Sequence, residues 1–133
     1  MKAKDLMIGD WVAVHRPGDR YEQVRVKSVI GNGTIEAKTS DGLVAIGESA
    51  VEPIPLTAEI LEKNGFKWDE LPKFAVNEIT EKTKMTFSYH LGSRTVFVGV
   101  NEPNFNLTSA CVLYVHELQH ILRQSRIEKE IIL

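Results

Sequence analysis

Two dipeptides constrain the first half of this chain more than any other feature in it. Asn32-Gly33 and Asp41-Gly42 each separate runs in which apolar and polar residues alternate. Both dipeptides tolerate the positive φ that tight hairpins require, and a period of two marks a strand with one buried face. In "GDWVAVHR", Trp11, Ala13 and His15 alternate with Val12, Val14 and Arg16. In "EQVRVKSVI", Val24, Val26 and Ser28 share one face, with Arg25 and Lys27 on the other. "TIEAK" and "LVAIG" follow as third and fourth strands. "VEPI" supplies a short fifth at an edge, because Pro53 has no N–H to give to a ladder.

Short strands with no helix among them imply a small SH3-like β-barrel over residues 1–55, and "IGDWVAV" looks like the opening strand of such a barrel. "PIPLT" then reads as a stiff extended connector. Thr57 is placed to cap a helix over Ala58–Lys63 and Gly65 to end it in the left-handed conformation. Residues 66–82 show no clear period; Trp68 and Phe74 are assigned to the core, and Pro72 breaks any long helix. "KMTFSYHL" and "TVFVGV" read as a hairpin turning at Gly92-Ser93, with Met85, Phe87 and Tyr89 sharing a face. Residues 107–124 are expected to be a long helix, capped by Asn106 and stapled by Phe105 against Ala110. Its apolar stripe is Cys111, Tyr114, Val115, Leu118, Ile121 and Leu122, which leaves Cys111 buried and inert. Arg123, Arg126 and Lys129 suit the negative end of its dipole, and "EIIL" reads as a final strand. The fold class is α+β: a small barrel at 1–55 and a helix–hairpin–long-helix unit at 56–133.

Charge excludes some functions. Residues 1–55 hold seven basic and eight acidic side chains, and residues 56–133 hold nine and ten. Neither half is a basic surface by bulk count, so non-specific phosphate binding has no support. No apolar run is long enough to span a bilayer, no membrane contact is expected, and "MKAKDLMIGDW" lacks a signal core. Cys111 is the single cysteine and has no partner for an internal disulfide. Together these imply a cytoplasmic protein.

One stretch suggests chemistry. His116-Glu117-Leu118-Gln119-His120 fits H-E-x-x-H, in which two histidines one turn apart bind zinc and the glutamate activates water. On an ideal helix each histidine lies about 160° from Leu118, opposite the apolar stripe. Such a pair either shares a metal or is solvated. Catalytic zinc takes three protein ligands. The longer H-E-x-x-H-x-x-G-x-x-H form needs glycine and histidine where this chain has Arg123 and Arg126. Only 13 residues follow His120; Glu128, Glu130 and the distant His90 are the remaining ligands to consider. The motif is therefore read as a surface helix, with no metal or other cofactor expected. His116 and His120 stand as candidate ligands, and Glu117 as a candidate base, for a zinc hydrolase only.

"PIPLTAEILEKNGF" together with "YVHELQHILR" resembles a family of small uncharacterised proteins of gut anaerobic bacteria and their phages or prophages. In that family glutamine often stands at the position of Glu117 and asparagine at that of His120. The resemblance implies a helix that needs no zinc, and a kinship without a mechanism. The expected function is a non-enzymatic accessory or protein-interaction module of mobile-element origin, with a protein partner. The further alternative is a nucleic-acid-binding barrel, in which an exposed Trp11 stacks a base and Arg25 and Lys27, with Lys38 nearby, touch phosphate. Nucleic acid is not the expected partner. His15 and His90 show no sequence partner.

Overall fold

The computed structural model describes residues 1–70, 73–80, 83–90, 93–101, 104–124 and 130–133, with side chains over 1–66, 89–90, 93–95, 111–124 and 130–133. The chain is α+β. Its residues group into two compact units, Met1–Pro55 with Tyr114–His116, and Leu56–Leu113 with Glu117–Leu133.

In the first unit the alternation of the sequence becomes an alternation of burial. The strands are β1 (Trp11–Arg16), β2 (Arg20–Ile30), β3 (Thr34–Thr39), β4 (Gly42–Gly47) and β5 (Val51–Glu52). They form one antiparallel sheet in the order β4-β3-β2-β1-β5. Val12 and Val14, Val24 and Val26, and Ile35 and Ala37 share the buried face with Ala3 and Leu6 from the 3-10 turn Ala3–Asp5 and its exit. Burying each valine or isoleucine contributes roughly 1.5–3 kcal/mol, so this face is the unit's main driving force. The β2–β3 turn takes Asn32 and Gly33 through φ 68° and 71°, and Gly42 closes the β3–β4 turn at 94°. At Gly33 the backbone also comes close to another group: a Cβ there would meet the Glu48 carboxyl carbon at 2.9 Å.

Two details depart from the sequence reading. The expected barrel is not closed: among the described residues β4 and β5 remain edges. A single 3-10 turn, Glu48–Ala50, leads from β4 into a β5 of only two residues, which pairs with β1 alone. A register shift between Val26 and Ser28 also moves β2 off its period. Ser28 is only half-buried, and Val29 and Ile30 turn to the surface.

In the second unit, helix α1 runs over Ala58–Lys63, with Thr57 Oγ1 accepting from the Ile60 N–H at 3.3 Å and Gly65 at φ 81°. The expected hairpin is part of something larger. Strands β6 (Lys67–Glu70), β7 (Lys73–Thr80), β8 (Thr83–His90), β9 (Thr95–Asn101) and β10 (Asn104–Cys111) form a five-stranded antiparallel meander. The long helix is correspondingly shorter: α2 spans Val115–Gln124. Asn106 is therefore no helix cap; it lies in β10 opposite Gly99. Backbone ladder bonds to β9 from Asn104 to Cys111 outweigh a helical period that those residues do not themselves carry. Cys111, the last residue of β10, is exposed rather than buried. The terminal "EIIL" is not a strand: Asn64 holds it, donating from Nδ2 to the Ile132 carbonyl at 2.8 Å and accepting the Ile132 N–H at 2.7 Å. The readings made at Pro72, Gly92, Arg126, Glu128 and Lys129, and of the Trp68, Phe74, Met85, Phe87 and Phe105 side chains, lie outside the described residues.

Candidate functional site

The His-Glu-x-x-His stretch occupies the first turns of α2, not its middle. Glu117 is the third residue of the helix, and its Oε1 accepts the Leu113 backbone N–H at 3.0 Å. A first-turn carboxylate that accepts an N–H from the chain just before the helix ties that segment to the helix start, and the helix dipole favours a negative charge there. The group proposed as a water-activating base thus has a structural task. Nor is His116 a solvated imidazole. It is 8% exposed, and its ring stacks on that of Tyr114 with centroids 6.0 Å apart and an 11° tilt. His120 is half-buried. Burial around α2 is wider than the apolar stripe, taking in His116 and Gln119 beside Val115, Leu118 and Leu122. Among the described residues no three His, Cys, Asp or Glu side chains are grouped to hold a metal ion. Glu130 and His90, weighed as third ligands, belong to no such group.

The residues considered for nucleic acid are brought together, but in a different sense. Trp11 and Arg25 are directly opposite each other on β1 and β2. The Arg25 guanidinium lies 4.9 Å from the centroid of the Trp11 ring, a cation–π pair worth about 0.5–1 kcal/mol at an accessible site. Trp11 is half-buried, so a stacked base would have to displace Arg25. Lys27, at the β2 irregularity, and Lys38 on β3 are exposed.

A concavity in the first unit lies one row along the same outward face. Ala13 stands opposite Gln23 on β2 and Glu52 on β5. A methyl group in the middle of that row leaves a depression between taller neighbours. It has a volume of about 710 Å³, with Tyr21 on one side, Pro53 and Pro55 on the other, and Glu22 and Glu52 on its border. Tyr21 is 58% exposed and packs its ring 5.0 Å from that of His15, which also meets Asp19 Oδ1 at 3.2 Å. His15 is thus partnered, which its sequence neighbours did not reveal. Glu22 accepts the Ser40 N–H at 3.2 Å and lies 3.8 Å from Arg16 Nε. The Ser40 side chain foremost, then its N–H and Arg16, hold the Glu22 carboxyl below the ordinary glutamate range, against an opposing effect of burial. Arg16 in turn is neutralised by Asp41 Oδ2 at 2.7 Å. The depression is therefore walled by apolar and aromatic groups and bordered by acid. Only its aromatic rim, Tyr21, could have been picked from the sequence.

Sequence reasoning also missed Asp10, fully buried, whose Oδ2 accepts the Met7 N–H at 2.8 Å and fixes the entry to β1. It placed Tyr89 on a strand face but missed the bond of its buried hydroxyl, which donates to the Val112 carbonyl at 3.0 Å and anchors the segment before α2. Among the described residues no helix is long and apolar enough to cross a membrane. Comparison with protein-family models, with curated proteins and with solved structures finds no match for this chain.

Proposed function

We propose that this protein is a non-enzymatic protein-interaction module, acting in the cytoplasm and of phage or mobile-element origin. Its first unit is read as an open SH3-like barrel, a reading supported by the strand order β4-β3-β2-β1-β5 and by the 3-10 turn that separates β4 from β5. The partner is an extended peptide segment carrying a basic residue. One observation carries this: the Ala13 depression, with the exposed Tyr21 ring on one side, the Pro53–Pro55 segment on the other and the Glu52 carboxylate on its border. An aromatic ring and prolines offer stiff apolar walls at small entropic cost, and a rim carboxylate favours a cation over an anion.

A random-peptide display selection against the folded protein tests the proposal. Recovered peptides should carry lysine or arginine. They should lose about tenfold or more in affinity with Glu52→Lys and with Tyr21→Ala, the scale at which a centrally placed contact counts. Circular dichroism should show both variants folded. Peptides that bind wild type and both variants alike would remove the depression from consideration.

A further inference from the structure

The outer edge of β4 is unlike the edges that monomeric proteins usually show. Its sequence, Gly42-Leu43-Val44-Ala45-Ile46-Gly47, has no charge, no proline and, against β3, no bulge. Those are the devices that normally stop an edge from pairing with another strand. The register identifies the backbone groups that face outward. Glu48 donates to the Gly33 carbonyl at 2.8 Å, which makes Thr34–Gly47 a pair flanked by ladder bonds rather than joined by them. Alternation then points the N–H and C=O groups of Gly47, Ala45 and Leu43 away from β3. All three residues are exposed, Leu43 at 61%.

Gly47 adds a second observation. Its φ is −69°, which any residue adopts, and a Cβ placed on it would meet nothing nearer than Ser49 Oγ at 4.0 Å. Neither backbone conformation nor packing within one chain calls for glycine there.

We infer that β4 is a self-association surface, pairing antiparallel with β4 of a second copy about a two-fold axis at Ala45. A two-fold axis perpendicular to the sheet requires opposed residues to share a face, so Ala45 meets Ala45 of the second copy and Leu43 meets Gly47. The exposed leucine of each copy fills the space above the other's glycine, and the outward backbone groups of Leu43, Ala45 and Gly47 join in a ladder. No charged residue is set against its own copy within the strand, a clash that many strands paired with themselves would suffer. Six residues per copy bury less than a standard interface, so the dimer forms weakly and at high concentration.

Sedimentation velocity over roughly 10 μM to 1 mM covers the range in which such small contacts associate. The mass should rise from the 15.0 kDa of one chain toward twice that value. Ala45→Lys and Ala45→Glu each set like charges together on the axis, and each should stay monomeric while keeping the wild-type circular dichroism. Mixing the two variants should restore the heavier species. Three results overturn the inference: a wild type that stays at one chain's mass throughout, variants that associate as wild type does, or a mixture that does not recover association.

Discussion

At the scale of single residues, two carboxylates hold the chain through hydrogen bonds and ion pairs. Glu48 accepts the Ala3 N–H at 2.8 Å and has Lys2 Nζ at 3.5 Å. The Ala3 bond foremost, then Lys2, lower its pKa from the ordinary 4.5, against an opposing effect of burial. Glu22 is lowered in the same way, chiefly by Ser40. Carboxyls whose folded pKa is depressed contribute stability that is fully present above the unfolded value and is lost as pH falls through the folded one. The denaturation midpoint should therefore decline as pH drops below about 4.5, and Glu22→Gln with Glu48→Gln should flatten that decline. An unchanged acid limb in the double variant would show that these bonds do not count. Cys111 gives a second residue-scale outcome. It ends β10 at the surface, so a thiol reagent should label it in native protein without denaturant. Protection until unfolding would place it inside.

At the scale of elements, hairpin turns and the short helix were legible, and the second sheet was not. Asn32-Gly33 reveals itself because few other dipeptides tolerate successive positive φ, and Thr57 and Gly65 mark α1 by the bonding that helix ends demand. A strand such as Asn104–Cys111 depends on β9, and nothing in its own residues announces that ladder. Its last residue also falls at helical spacing from Tyr114, Val115 and Leu118, which extends the helix on paper past its true start. Once α2 begins at Val115, the role of Glu117 follows, and the element can be tested. Leu118 is fully buried, and Leu118→Ala should cost about 2–5 kcal/mol. Glu117→Ala should cost about 1 kcal/mol, as the loss of a hydrogen bond does, while Glu117→Gln keeps an oxygen for the Leu113 N–H and should stay within about 0.5 kcal/mol. Urea unfolding of the three variants checks the ranking. A Glu117→Gln loss as large as that of Glu117→Ala would contradict a role for that hydrogen bond.

At the scale of the whole molecule, several described side chains singled out in the sequence make structural contacts. The motif glutamate ties the start of a helix, His116 stacks on Tyr114, Trp11 and Arg25 cover each other, and Asn64 clips the terminal residues. Among the described residues, the surfaces proposed to meet a partner are the Ala13 depression and the β4 edge. The depression was illegible in the sequence because it is made by an alanine whose smallness matters only against Gln23 and Glu52, neighbours that the sheet supplies. Action through such surfaces rather than through a metal is the central claim, and metal content tests it most directly. Tag-free protein, purified without added zinc and measured by elemental analysis, should contain no stoichiometric zinc. About one zinc per chain, the occupancy of a single three-ligand site, lost in a folded His116→Ala variant, would contradict the account.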